Sequence, residues 1–317
     1  MSQIKMNKLK MHNNQKNNIS EINSVINNRR YCKLEQLMSI ISFGLNKKKS
    51  FVSVLRLDGV IGKVGAMKSG LTLCALNDLI EKAFKNERLS AVCLVINSPG
   101  GSPVQSELIA NRIINLAAEK NVPVYSFVED VAASGGYWLA CAGDKIYVSR
   151  SSIIGSIGVI SSGFGFSELI KKIGVERRIY TQGMNKSVLD PFTPEKESDV
   201  DVIKKIQKDI HEHFIQFVKK RRQGSLTQTD EILFNGEFWG GQTAVDFGLV
   251  DGFNDLYSFI KNKFGDDVKI EYIEPKQSWF KKKLGMSLSL KKITDNLAES
   301  LLNKAESKIK NDKFDFF

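Results

Sequence analysis

The stretch VYSFVEDVAASGGYWLACAGD, residues 124 to 144, joins an apolar run to a glycine-led segment at Ser134. The apolar run predicts a buried strand, and SGGYWLACAG predicts a helix that begins directly after it. A corner between strand and helix lifts a side chain out of the packed sheet, and backbone N–H groups at the start of a helix can hold developing negative charge. Ser134 is therefore a candidate nucleophile, although an ordinary turn serine or a helix N-cap has the same local pattern.

The same alternation of strand and helix extends to both sides of this corner. Apolar runs predict strands over 51–62, 91–97, 122–128 and 145–149, and helical spacing predicts helices over 71–86 and 103–121. Strands that are apolar on both faces and alternate with helices of this length pair in parallel, with right-handed crossovers. The sequence therefore predicts an α/β fold.

Several further elements follow the glycine-rich passage GSIGVISSGFGF. The pattern predicts a short helix near Ser167 to Ile173 and a strand over RRIYTQ, residues 177–182. A long helix is expected to open at Thr193 and Pro194, with acids in its first turns and a basic end. Two more helical pieces around a glycine turn are predicted over 243–264.

The positive charge of the chain is concentrated at its two ends. The formal net charge of the 317 residues is +11, but residues 1–49 hold ten basic residues against two acidic ones, and residues 276–317 hold ten lysines against five acids. The nearly neutral middle argues against a nucleic-acid groove. We expect a basic, largely mobile Asn/Lys-rich segment 1–49, a folded domain 50–275, and a basic amphipathic helical tail 276–317.

The tail has two open interpretations. Its lysines and apolar residues suit a helix on an anionic membrane surface, or a helix packed on the body or on a neighbouring subunit. No apolar stretch approaches the roughly 18–20 residues that span a bilayer, and the amino end lacks a secretory signal pattern. We therefore expect a cytoplasmic protein, with peripheral contact to the inner membrane through its basic ends as a hypothesis.

Neither metal nor another cofactor is expected. The four cysteines, Cys32, Cys74, Cys93 and Cys141, are widely spaced and form no ligand pattern, so a zinc site is not predicted. Cys93 lies in an apolar run and Cys141 in a predicted helix, which indicates buried free thiols in a reducing compartment.

A serine nucleophile needs a base, and histidine is the usual one. His12 lies in the basic amino-terminal segment, and His211 and His213 are two apart on a charged helix, about 200° around its axis. The alternative is a lysine kept neutral by burial, as in Ser-Lys dyads. Lys186 in TQGMNKSVLDPF has glycine, proline and apolar neighbours, so it is the candidate base, although an ordinary loop lysine has the same pattern.

Five motifs, in order and with matching spacing, resemble those of bacterial signal peptide peptidase A and SohB-like serine peptidases of the Clp/crotonase superfamily. The motifs are INSPGG (96–101), AASGGYWLA (132–140), IIGSIGVI (153–160), the set Gly183, Lys186 and Pro191, and GLVD (248–251). The resemblance covers about residues 50 to 260. It implies a spiral of βαβ units with a parallel sheet.

The resemblance also implies roles for particular residues. It makes Ser134 the nucleophile and Lys186 the general base of a serine endopeptidase that acts through an acyl-enzyme, and it makes Ser156 the residue that orients the lysine. It maps the oxyanion and substrate-backbone contacts to Gly100, Gly101 and Gly135. The implied substrates are signal-peptide remnants, other peptides or unfolded chains, and the implied assembly is a closed homo-oligomer, with an octamer as one form.

Three other functions remain open at this point. An acyl-CoA hydratase or isomerase of the same superfamily would leave Ser134 and Lys186 without a role. An ATP-dependent Clp-type peptidase would need a histidine after its serine strand, and none is placed there. A non-catalytic scaffold of the same fold, which uses its basic ends for docking, is the third alternative.

Overall fold

The computed structural model describes residues 50–64 and 68–274. The strands are β1 (Phe51–Asp58), β2 (Lys63–Val64), β3 (Lys68–Ser69), β4 (Leu89–Ser98), β5 (Val124–Ala133), β6 (Lys145–Val148), β7 (Ile153–Gly155), β8 (Phe238–Gly240), β9 (Gly252–Phe253) and β10 (Lys269–Ile273). The helices are α1 (Leu73–Ala83), α2 (Pro103–Lys120), α3 (Gly135–Ala140), α4 (Ser167–Lys172), α5 (Glu197–Arg221), α6 (Asp230–Leu233), α7 (Gly241–Asp246) and α8 (Leu256–Phe264).

One sheet organises the described part of the chain. Its main path has the order β10-β1-β4-β5-β6-β9, and every neighbouring pair on it is parallel. β7 pairs in parallel with the end of β5 and antiparallel with β8. Because β1, β4, β5 and β6 lie side by side with α1, α2 and α3 between them in sequence, the sheet is a succession of βαβ units. The predicted α/β class with a parallel-rich sheet is confirmed.

The central strands are apolar because both of their faces are covered. On one face, Leu57 of β1 belongs to a hydrophobic cluster that contains Ile80 of α1 and residues of α2. On the other face, Val54 of β1 packs in a second cluster with Phe259 of α8. Successive side chains of a strand point to opposite faces, so a strand between two clusters needs an apolar residue at nearly every position.

Two predicted elements differ from the structure. Residues 177–182 pair with no strand of the described chain, and Tyr180 is 92% exposed, so no buried face exists to hold a strand there. The long helix begins at Glu197, not at Thr193, because a turn around Asp190 precedes it. The Asp190 carboxylate accepts from the N–H of Phe192 at 3.2 Å, and the Thr193 hydroxyl donates to the Asp190 carbonyl at 3.2 Å.

The basic ends of the chain, including the tail predicted as an amphipathic helix, lie outside the described residues. Within residues 50–64 and 68–274, no helix is long and apolar enough to cross a membrane.

Candidate active site

Ser134 occupies the corner between β5 and α3. Its backbone has φ 52° and ψ −124°, a conformation that L-residues adopt only under constraint. Its N–H donates to the carbonyl of Gly155 at 2.8 Å, and its own carbonyl accepts from the N–H groups of Tyr137 and Trp138 at 2.9 and 3.1 Å. Its hydroxyl does not cap the helix. The corner predicted from sequence is therefore present, and the hydroxyl is available for another partner.

A glycine turn packs directly against this serine. A β-carbon added at Gly100 would lie 2.8 Å from Cβ of Ser134 and 2.8 Å from the carbonyl oxygen of Ala133. One added at Gly101 would lie 2.0 Å from the carbonyl oxygen of Ile61. Both glycines also have positive φ, 104° and 141°. Only glycine fits this close approach of three backbone segments.

The three amides predicted as oxyanion contacts are not equivalent. The N–H of Gly100 donates to the Ser98 hydroxyl at 3.2 Å. In the described part of the chain, the N–H groups of Gly101 and Gly135 donate to no acceptor. These two groups are neighbours, since a β-carbon on Gly135 would lie 3.4 Å from the Gly101 nitrogen. The structure thus offers two open donors beside Ser134, at Gly101 and Gly135, and a third that is already bonded.

Ser156 directly follows β7, the strand that pairs with the end of β5 before Ser134. Ala133 of β5 pairs with Gly155 of β7 in parallel register, so Ser134 and Ser156 each come one residue after the pair. Ser156 also has a positive φ of 51°, and its N–H donates to the Glu237 carbonyl at 2.7 Å. Neighbouring strands are about 4.8 Å apart, which brings the two serine positions close together.

Lys186 lies in a turn on a loop between α4 and α5, and its N–H donates to the Gly183 carbonyl at 3.2 Å. The expectation of a shielded lysine is wrong for the single chain, because Lys186 is exposed and its neighbour Met184 is 99% exposed. Its ammonium makes no hydrogen bond or ion pair with any described residue. Residues 181–185 are exposed as well, so no described side chain covers the lysine.

The residues that follow Lys186 hold this loop in place. The N–H of Leu189 donates to the Asp199 carboxylate of α5 at 3.1 Å. The side chain of Asp190 is 2% exposed and pairs with Nε of Arg177 at 3.3 Å. The Pro191 carbonyl accepts from the N–H of Phe166 at 2.6 Å. The base of the loop is therefore fixed although its tip is open.

The two histidines of α5 have separate partners, as their spacing predicted. Nε2 of His211 lies 3.0 Å from the carbonyl oxygen of Ile157, the residue after Ser156. Nε2 of His213 lies 3.1 Å from a Glu107 carboxylate oxygen. The contact of His211 with the Ser156 loop was missed from sequence, since nothing in the spacing connects residues 54 positions apart.

The cysteines agree with the sequence interpretation where they are described. Cys93 and Cys141 are buried and free, and burial raises the pKa of Cys93 to about 12 and that of Cys141 to about 11. Cys74 is exposed on α1, and Cys32 lies outside the described residues. In residues 50–64 and 68–274, no group of histidine, cysteine or acidic side chains has the arrangement of a metal site.

A buried ion pair explains the GLVD motif. An Asp251 carboxylate oxygen accepts from the Arg222 guanidinium at 2.6 Å, and the other accepts from Nζ of Lys145 at 2.9 Å. Burial alone would raise the pKa of Asp251, but the hydrogen bonds from Arg222 and Lys145 outweigh it and lower the pKa. The Tyr137 hydroxyl of α3 donates to the Leu249 carbonyl at 2.7 Å, so this network supports the helix that follows Ser134.

Comparison with known proteins identifies relatives of this chain. A model of peptidase family S49 matches residues 117–264. Proteins of Brucella melitensis and Brucella abortus named Na(+)/H(+) antiporter NhaA are 49% and 48% identical over 264 residues. These residues are 81% of this chain and 36% of the two Brucella proteins, so the chain spans about a third of their length. A Buchnera aphidicola protein named "Probable protease SohB" is 31% identical over 259 residues, 81% of this chain and 71% of that protein.

Among solved structures, the 1510-N membrane-bound stomatin-specific protease aligns with 72% of this chain and 99% of its own. The TM-score of this alignment is 0.46, at 18% identity.

A constrained serine at the end of a parallel sheet, beside two open amides, is an arrangement that can hold developing negative charge on a carbonyl oxygen. The chain belongs to peptidase family S49, because the family model matches its central part and the Buchnera relative is 31% identical over 71% of its own length. The family resemblance predicted from the five motifs is confirmed.

Proposed function

We propose that the protein is a serine endopeptidase in which Ser134 is the nucleophile and Lys186 the general base, within a domain of residues 50–275. The observation that carries the proposal is the position of Ser134, at a constrained corner beside the open N–H groups of Gly101 and Gly135. Membership of peptidase family S49 supports the same reaction class. No cofactor takes part in the proposed reaction.

In the proposed acylation step, one proton moves from Ser134 to the leaving amine, and a C–O bond to Ser134 replaces the C–N bond of the peptide. Neutral Lys186 takes the proton from the Ser134 hydroxyl while the oxygen attacks a peptide carbonyl carbon. The carbonyl oxygen becomes an oxyanion and accepts hydrogen bonds from the N–H groups of Gly101 and Gly135. Lys186 then gives the proton to the leaving amine as the C–N bond breaks, and water later hydrolyses the ester on Ser134.

Ser156 has the position of a residue that orients the base. It follows the strand that pairs with the strand of Ser134, and its backbone is held by Glu237 and, through the next residue, by His211. We propose that its hydroxyl accepts a hydrogen bond from the neutral amine of Lys186. This bond would hold the lysine lone pair toward Ser134.

The proposal requires that Lys186 lose contact with bulk water during catalysis, because desolvation is what favours a neutral amine. In the single chain the lysine is exposed, and apolar side chains in the segment that precedes it, Phe164, Ile173, Tyr180 and Met184, are also exposed. We therefore propose that a closed homo-oligomer, together with bound peptide, covers this loop. Peptides and unfolded chains, including signal-peptide remnants, are the proposed substrates.

A serine-directed fluorophosphonate probe tests the nucleophile and the base together. We expect the wild type to be labelled at Ser134, and Ser134→Ala and Lys186→Ala to lose both labelling and hydrolysis of a fluorogenic peptide mixture. Ser258→Ala and Lys172→Ala are matched controls, because both residues are exposed on the surface and have no proposed role. Labelling that persists in Ser134→Ala, or a Lys186→Ala variant as active as Lys172→Ala, would refute the dyad.

A further inference from the structure

A cleft of about 540 Å³ lies on the α8 side of the sheet. Its floor is apolar and is formed by Val54, Val95, Phe127, Leu256 and Ile273. Among the described residues that line it, none belongs to the candidate active site. An apolar cleft with polar groups around it is the usual form of a binding site, so this cleft is a candidate binding site.

The rim of the cleft is acidic. Glu129, Asp130, Asp255 and Glu274 line it against one cation, Arg56. Arg56 is already paired with Glu129, with NH1 to Oε1 at 3.0 Å. The other three carboxylates have no ion-pair partner within residues 50–64 and 68–274. The rim therefore favours a positively charged ligand.

Two tyrosines add flat aromatic surface to this rim. Tyr257 is 65% exposed and Tyr272 is 46% exposed, and their hydroxyls are 3.1 Å apart. Aromatic faces of this kind stack with other rings and attract lysine side chains. The chemistry of the cleft thus fits a peptide that carries both lysines and aromatic residues.

The chain itself contains such a segment directly after the cleft. Ile273 and Glu274 line the cleft, and the next ten residues are PKQSWFKKKL, 275–284. This stretch has four lysines, Trp279 and Phe280, and no acidic residue. Six residues of extended chain reach up to about 20 Å, which is enough to return across the cleft. Covalent linkage also gives the segment an effective concentration on the order of millimolar.

We propose that the cleft binds residues 276–283 of its own chain. Trp279 and Phe280 cover the apolar floor, and Lys281 to Lys283 face the acidic rim. This docking is independent of the proposed peptidase reaction, because no active-site residue lines the cleft. An anionic membrane surface is the alternative partner of the same lysines. Binding to the cleft and binding to a membrane give different results in one experiment.

The test uses the full chain with the photoreactive residue p-benzoylphenylalanine in place of Phe280. We expect an intrachain crosslink to peptides that contain residues 127–130 or 254–257, identified by mass spectrometry. Lys281→Glu/Lys282→Glu/Lys283→Glu should lower the crosslink yield roughly tenfold, since exposed ion pairs contribute up to about 0.5 kcal/mol each. Lys291→Glu/Lys292→Glu/Lys304→Glu makes the same charge change elsewhere in the tail and should leave the yield unchanged.

Vesicles of phosphatidylglycerol and phosphatidylcholine form the second arm. Docking in the cleft predicts that the crosslink to 127–130 or 254–257 persists when vesicles are added. Crosslinks to lipid in place of the cleft, crosslinks only between chains, or crosslinks to other parts of the surface would overturn the proposal. An equal loss of crosslink yield in both triple variants would also overturn the proposal, because the acidic rim would then not bind these particular lysines.

Discussion

The N–H of Ser134 donates a 2.8 Å hydrogen bond to the carbonyl of Gly155. This bond continues the parallel pairing of β5 with β7 by one residue and brings the loop of Ser156 beside the candidate nucleophile. Ser134 and Ser156 have φ values of 52° and 51°, a conformation that costs about 1–3 kcal/mol for each residue. The surrounding hydrogen bonds hold both residues in this conformation. We therefore expect a substitution in the loop of one serine to alter the position of the other serine.

Gly100→Ala tests how closely the glycine turn packs on the serine. The added methyl would lie 2.8 Å from Cβ of Ser134, and the residue would keep an unfavourable φ of 104°. We expect a loss of hydrolysis of at least about a hundredfold, because displacement of reacting atoms by about 1 Å has this effect. Gly163→Ala is the control, since nothing lies within 4 Å of a β-carbon there. Steady-state kinetics of both variants, with circular dichroism for folding, give the comparison.

His211→Leu tests the connection between α5 and the Ser156 loop. The substitution leaves the Ile157 carbonyl without its 3.0 Å partner, and loss of one hydrogen bond costs about 1 kcal/mol. We expect kcat to fall by roughly five- to tenfold with KM little changed, because in the proposed mechanism this loop orients the base and does not bind the peptide. His211→Gln can still donate to the carbonyl and should recover most of the activity.

His213→Leu is the control for this prediction, because His213 lies on the same helix and contacts Glu107 instead. Equal losses in His211→Leu and His213→Leu, or no recovery in His211→Gln, would show that the effect comes from the helix as a whole and not from the Ile157 contact.

The sequence predicted the elements whose signals are local. The helix over Pro103–Lys120 has proline at its first position and a serine cap, and the strand before Ser134 is apolar on both faces, so pattern alone identified both. The glycine turn at 100–101 was also predictable, because its motif is short and contiguous. These features depend on neighbours in sequence, and a single chain displays them directly.

The remaining features depend on contacts that the sequence does not display. RRIYTQ has strand-forming residues but lies on a surface where no second layer covers it, and Tyr180 stays exposed. Helix α5 begins at Glu197 and not at the predicted Thr193, because Asp190 forms a turn with Phe192 and Thr193. Burial of Lys186 was inferred from apolar neighbours in sequence, whereas burial depends on what packs over the loop in space.

The Arg222–Asp251 pair should carry a large part of the stability around α3. Arg222 is 4% exposed and Asp251 has an 11% exposed side chain, so removal of Arg222 leaves a largely buried carboxylate with only the more exposed Lys145 as its counterion. We expect Arg222→Met to lower the free energy of unfolding by about 3–5 kcal/mol. Arg222→Met/Asp251→Met should be less destabilised than Arg222→Met, as measured by urea denaturation, because it leaves no buried charge.

The lowered pKa of Asp251 predicts how this stability depends on pH. A carboxyl whose pKa is lower in the folded state contributes its stabilisation at pH values above its ordinary value of 3.8 and loses it as the pH falls toward the folded-state pKa. We therefore expect the wild type to lose more unfolding free energy between about pH 5 and pH 2.5 than Asp251→Asn does. Identical slopes for the two proteins would assign the acid sensitivity to other carboxyls.

Exposed apolar residues near Lys186 make the proposed oligomer testable. Tyr180 and Met184 are 92% and 99% exposed, and large apolar side chains in this position are typical of a surface that a partner covers. Tyr180→Asp/Met184→Asp should therefore dissociate the assembly, as seen by light scattering. It should also lower kcat/KM, because the loop that carries the proposed base is then no longer covered by a neighbouring subunit. Ile232→Asp changes an exposed apolar residue outside this loop and should alter neither property. If Tyr180→Asp/Met184→Asp keeps both the wild-type mass and the wild-type kcat/KM, subunit contacts do not cover this loop.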